Sequence, residues 1–168
     1  MAPDGGFVLA VIPARSGSKR CPNKNFLPFR GRVLWEWSWF AAEGSRYIDS
    51  ILLSKDEDRP PELCTDTASC EDVLRYHLVE FPQAAWVVLL QPTSPLRTAE
   101  DIDRCIEAAI SNGSAALTVN ECGDRNGAVY VASTEWLAAH DFSHAGYRKV
   151  PMPDERSLDI NLPEDFEL

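Results

Sequence analysis

"FVLAVIPARSGSKRCPNKN", residues 7–25, decides how the rest of the chain is read. Its first six residues are apolar, rich in β-branched side chains and bounded by glycine and proline, which predicts a short buried strand. The remainder carries Arg15, Lys19, Arg20 and Lys24 with no acid, on a Ser/Gly/Pro-rich frame that cannot continue a strand. In an open α/β sheet, ligands sit where loops leave the carboxyl ends of strands, so this loop is the first candidate site. Ser16, Gly17 and Ser18 are expected to turn backbone N–H groups toward an anion, as a nest does. The cations, lacking acidic neighbours in the loop, are expected to surround that anion rather than to pair internally. The pattern is neither GxxxxGK[ST] nor GxGxxG, yet it suits several negative charges, and a triphosphate is the natural ligand.

Working outward, strand-like and helix-like segments alternate. Residues 33–44 place Trp35, Trp39 and Ala42 on one helical face and stop at Gly44. IDSILLS (48–54) reads as a second strand. Residues 69–81 are amphipathic, with Val73, Leu74, His77 and Leu78 at helical spacing before Pro82. WVVLL (86–90) is a third buried strand. Residues 99–113 form a helix with acids in the first turn and Gly113 at its end. AALTV (115–119) and GAVYVA (127–132) are further strands. This order predicts an α/β fold, a Rossmann-like, mostly parallel sheet with helices on both faces. With 168 residues the chain suits one domain, 1–168, with residues 1–6 expected to be flexible. A second unusual loop, 91–98, leaves the third strand on the same side as the first.

Sixteen basic against 26 acidic residues give a formal charge of -10, which argues against a general nucleic-acid or anionic-membrane binder. No apolar stretch approaches the roughly 20 residues needed to span a bilayer. The first residues lack the basic n-region of a signal peptide. The five cysteines include no CxxC pair and are odd in number, which suits reduced thiols and a cytoplasmic setting. The Trp35–Trp39 run and His77 are read as packing residues. His140 and His144 are minor candidates for a ligand site.

Five segments, in order, then resemble one family. IPARSGSKRCPNKN (12–25), RPPELCTDTAS (59–69), LLQPTSPLRTAEDID (89–103), NGAVYV (126–131) and SLDINLPEDF (157–166) are similar to motifs of the acid-sugar cytidylyltransferases, such as the CMP-N-acylneuraminate synthetases and their legionaminate and pseudaminate relatives. The resemblance implies transfer of CMP from CTP to a sialic-acid-like 2-keto-3-deoxy sugar acid, with release of pyrophosphate. It places Ala14, Arg15, Ser18, Lys19, Lys24 and Asn25 around the nucleotide, and Arg59 and Cys70 at the cytosine. Cys70 stands where serine is usual, so a strong hydrogen-bond donor is replaced by a weak one. Gln91, Asn126, Tyr130 and Arg125 fall toward the acceptor. Arg15, Lys19, Lys24 and Gln91 are the expected catalytic set, acting by charge stabilisation and alignment.

Magnesium is the implied cofactor, with Asp159 as its main ligand and Asn161 in place of a usual second aspartate, on the expectation that strand alternation puts both on one face. Two familiar segments are short. Residues 52–63 bypass an STDD stretch and a helix, and CGDR (122–125) replaces a long insertion that serves dimerisation. The chain also stops barely into the final helix. The expected partners are therefore CTP and a small acidic acceptor, with no nucleic acid, no membrane and no family-type dimer. Transfer to a smaller acid such as a phosphonate, and a CTP- or CMP-binding module without turnover or needing a partner chain, are the alternatives.

Overall fold

A computed structural model describes residues 1–168. In chain order the elements are β1 (Phe7–Pro13), β2 (Pro28–Phe29), β3 (Arg32–Val33), α1 (Leu34–Glu43), β4 (Ser50–Ser54), α2 (Cys70–Leu78), β5 (Ala84–Leu89), α3 (Ala99–Asn112), β6 (Ala115–Val119), β7 (Arg125–Ser133), α4 (Thr134–Ala139) and β8 (Tyr147–Pro151). The main sheet has the order β4-β1-β5-β7-β6-β8. The pairs β1–β4, β1–β5 and β6–β8 are parallel, whereas β7 runs antiparallel to both of its neighbours. Five of six strands therefore share one direction, and the expected Rossmann-like sheet is found.

The central position of β1 explains its composition. Val8 to Ile12 are fully buried, because neighbouring side chains point to opposite faces and both faces are covered. Val8, Ala10 and Ile12 join one core cluster with Ile102 and Ile106 of α3 and with Trp35 and Trp39 of α1. Leu9 and Val11 join a second with Leu74 of α2 and Leu137 of α4. His77 is buried at 2% exposure, 2.7 Å from the Ser54 hydroxyl, so it is a packing residue as read from the sequence. All five cysteines are free, and no helix is long and apolar enough to cross a membrane.

Three elements escape the periodicity analysis. The β2–β3 ribbon has two residues per strand around Arg30 (φ 48) and Gly31 (φ 85), the two left-handed positions of a type I′ hairpin. Helix α4 has six residues, too few to display a period. Strand β8 is an edge strand whose exposed Arg148 and Lys149 mask its pattern. Residues 1–6 are docked, contrary to expectation. Ala2 is buried, the Asp4 carboxylate accepts a 2.9 Å bond from the Trp86 indole, and Gly6 lies so near β5 that a Cβ would come within 2.9 Å of Ala85.

Asp101 fastens the segment around Arg156 to α3. It closes a capping box with Thr98 at the start of α3 and accepts a bidentate pair from Arg156, at 3.0 and 2.8 Å. Burial works to raise the pKa of Asp101, but the bonds from Arg156 and Thr98 outweigh it and hold the carboxyl below its usual range. A depressed carboxyl contributes stability above its unfolded pKa and loses it as pH falls through the folded value. Asp101→Ala should therefore cost about 1–3 kcal/mol in urea unfolding at neutral pH, since the partly exposed Arg156 can turn to water, with the gap to wild type closing below about pH 4.

Candidate functional site

Because β4, β1 and β5 are parallel and adjacent, their carboxyl ends open at one edge of the sheet. The loops that follow them enclose a cavity of about 170 Å³. Arg15, Lys24 and Asn25 enter it from the first loop, Arg59 from the segment before α2, Cys70 from the first position of α2, and Gln91 and Thr93 from the loop after β5. Six of the sequence-derived candidates thus share one wall.

Two of them are buried with unmet hydrogen-bonding capacity. Arg59 is 7% exposed, and its Nε and Nη2 have no partner. Asn25 is 6% exposed; its Nδ2 donates to the Arg15 carbonyl at 2.9 Å, while its Oδ1 has no partner. An unpaired buried polar group costs about 1–3 kcal/mol, and more when charged, so such groups mark where a polar ligand would repay them. Together they offer donors and an acceptor to a flat, hydrogen-bonding group.

The basic loop borders a second cavity of about 360 Å³, which shares Arg15 and Lys24 with the first and adds Ser18, Lys19 and Arg20. Here the structure corrects two expectations. Gly17 does not adopt a left-handed conformation, and the Ser16 and Ser18 N–H groups donate to Asp56 and to the Ser16 carbonyl. The loop is therefore not an amide nest; its attraction for anions resides in side chains. Nor are all of its cations unpaired. Asp66, from the segment before α2, lies 2.5 Å from Arg15 Nη2 and 3.7 Å from Lys19 Nζ. The Arg15 hydrogen bond holds the Asp66 carboxyl below its usual range. Burial lowers the pKa of Lys24, partly offset by nearby Asp159. Ala14 is fully buried and donates its N–H to the Ser54 carbonyl at 2.8 Å, extending β1 instead of lining the cavity.

Gln91 is held from beneath by a residue that sequence reasoning passed over. Arg97 is 3% exposed and donates to three neutral oxygens: Ala128 O at 2.7 Å, the Ser38 hydroxyl at 2.8 Å and Gln91 O. It lies within the LLQPTSPLRT motif, so the motif was visible although the role was not. Asp56 was likewise unassigned; its carboxylate accepts from both the N–H and the hydroxyl of Ser16.

The expected acceptor residues are arranged differently. Asn126 is 8% exposed and spends its amide internally, on Thr118, the Ala128 N–H, Met152 and Ser157. Arg125 donates to the Phe142 carbonyl and stacks over Tyr147 at 4.8 Å. Tyr130 packs edge-on against Phe142 at 5.0 Å, and burial raises its pKa. None of the three lines the cavity. His140 and His144 pair with each other 4.2 Å apart beside Trp136, around a different surface cavity.

Asp159 and Asn161 do meet, with Asn161 Nδ2 donating to the Asp159 carboxylate at 2.8 Å. Their segment is not a strand, as expected from alternation; Ile160 anchors it by donating to Thr93 O at 2.7 Å, and Lys24 Nζ reaches Ile160 O at 3.4 Å. The donor set comprises one exposed carboxylate and one amide, and no group of three His, Cys, Asp or Glu side chains gathers to hold a metal. That set fits a hard divalent cation that takes most of its oxygens from phosphate and water.

Comparison with known proteins finds relatives of one kind. The family model described as "Cytidylyltransferase" matches residues 9–65. The N-acylneuraminate cytidylyltransferase of Escherichia coli O18:K1:H7 is 31% identical, over 96% of this chain and 51% of that protein. The CMP-N,N'-diacetyllegionaminic acid synthase of Legionella pneumophila is 33% identical, over 67% of this chain and 57% of that protein. The chain spans about half the length of the curated relatives it matches. A solved CMP:2-keto-3-deoxy-manno-octonic acid synthetase complexed with CTP superposes with a TM-score of 0.75 at 15% identity, covering 96% of each chain, and shares the fold.

Replacing Arg59 tests whether its unmet donors are meant for a ligand. Arg59→Met should leave thermal stability unchanged or slightly raised, because it removes an unpaired buried charge. The same variant should lose cytidine binding by at least about tenfold in calorimetry, the cost of one charged hydrogen-bond donor.

Proposed function

We propose that this relative of the acid-sugar cytidylyltransferases transfers CMP from CTP to a sialic-acid-like 2-keto-3-deoxy sugar acid, releasing pyrophosphate. The observation that carries the reading is one cavity lined by Arg59 and Asn25, each with buried polar atoms that lack partners, together with Arg15, Lys24 and Gln91. The acceptors O2 and N3 of cytosine suit a buried guanidinium, with Cys70 beside it at the first position of α2. The triphosphate would then extend toward Ser18, Lys19 and Arg20 in the adjoining cationic cavity.

In the reaction the acceptor hydroxyl oxygen bonds to the α-phosphorus while the α–β bridging bond breaks, and the hydroxyl proton passes to solvent. Negative charge accumulates on the departing pyrophosphate. Arg15 supplies a planar fork of donors and Lys19 and Lys24 supply compact charges, so all three stabilise that charge as it develops. Gln91, its carbonyl fixed by Arg97, keeps its side-chain amide free to orient the acceptor hydroxyl. A magnesium ion held by Asp159 and Asn161 would supply further charge neutralisation at the phosphates.

The direct test is pyrophosphate release from CTP with Mg²⁺, across a panel of nonulosonic acids, eight-carbon 3-deoxy sugar acids and phosphonates. Release is expected with the sugar acids. Arg15→Ala and Lys19→Ala should each lower kcat/KM by at least about 100-fold, as loss of a transition-state donor does, with circular dichroism unchanged. CTP binding without release for any acceptor would instead identify a binding module.

A further inference from the structure

We infer that Asp66 is an internal counter-anion, a carboxylate that occupies the phosphate site and must be displaced by the ligand and return when pyrophosphate leaves. The inference rests on the proposed function for the identity of the ligand. The outer cavity is lined by Arg15, Ser18, Lys19, Arg20, Lys24 and Asp66, so Asp66 is the one acid among four cations. It is placed to bridge, with one oxygen 2.5 Å from Arg15 Nη2 and the other 3.7 Å from Lys19 Nζ. A phosphate oxygen gripped by those two groups would need the same space.

The contact is also built to open. Asp66 lies in the turn between Leu63 and Ser69, outside any helix or strand, and its side chain is 37% exposed. Lys19 is 91% exposed on its side of the pair. An exposed ion pair is weak and is readily outcompeted by a ligand with several charges. By contrast Asp56, the other acid touching this loop, binds the backbone N–H and hydroxyl of Ser16 and so fixes the loop's shape. One acid holds the frame; the other holds the place of the ligand.

Competition of this kind raises the dissociation constant of every ligand that needs Arg15 and Lys19, and by the same factor. It leaves unchanged any ligand that does not reach them. Pyrophosphate, CTP and cytidine distinguish these cases without requiring an acceptor. In calorimetry, Asp66→Asn should bind pyrophosphate and CTP roughly 1.5- to 5-fold more tightly, the range set by one partly exposed ion pair. Cytidine affinity should not change. The gain should shrink when Asp66→Asn is made in an Arg15→Ala background, because the nearer of the two partners of Asp66 is then missing.

Unchanged or weaker pyrophosphate binding by Asp66→Asn overturns the inference, as does equal tightening for cytidine. If pyrophosphate binding tightens but no acceptor supports turnover, the counter-anion stands and the transferase reading falls. If turnover is found and Asp66→Asn binds pyrophosphate as wild type does, the reverse holds.

Discussion

Arg97 sits under the floor of the site with no carboxylate at hydrogen-bond distance, and the geometry above it depends on that fact. Its three neutral acceptors belong to α1, to the loop after β5 and to β7, so one guanidinium fixes the spacing of three elements. Burial pushes its pKa down to about 9, which still leaves it charged at neutral pH. A buried cation hydrogen-bonded only to neutral oxygens is costly; nearby Asp101 offsets part of that cost, and the rest is met by filling the donor geometry of a planar fork. Lysine could not reach all three oxygens. Gln91 therefore faces the cavity because of a residue that never touches it.

The charge distribution follows a consistent logic. A chain with a formal charge of -10 concentrates Arg15, Lys19, Arg20 and Lys24 in one short loop, then surrounds them with acids of different duties. Asp56 shapes the loop, Asp66 lies across its guanidinium, and Asp159 sits near Lys24. The acidic background keeps the rest of the surface unattractive to polyanions, so affinity for phosphate is confined to the strand ends. Within the neighbouring cavity recognition has a different character, since Arg59 and Asn25 offer fixed, desolvated hydrogen-bonding atoms.

Much of this was legible in the residues. The strands centred on Val11, Leu52, Val88, Leu117 and Val129 emerged from apolar runs, because burial on both sides of a sheet leaves a strong compositional trace. The cationic loop stood out for the same kind of reason. What escaped was interaction between distant positions. Asp66 meets Arg15 across 51 residues, and no periodicity reports an ion pair of that span. Asn126 and Arg125 look free in a motif, yet their polar atoms are consumed by neighbours that only the folded chain supplies. Gly17 suggested an amide nest, but Asp56 had already claimed the Ser16 N–H.

The docking of residues 157–162 bears on the order in which the molecule is assembled. The bond from Lys24 to Ile160 closes a loop of 136 residues, and the one from Ile160 to Thr93 fastens it to the opposite wall. A contact of that sequence span is rewarded only after the long intervening loop has been closed, so it is expected to form after the local pairing of β1 with β4 and β5. The cationic rim is thus set by the sheet, and Asp159 is brought to it afterwards.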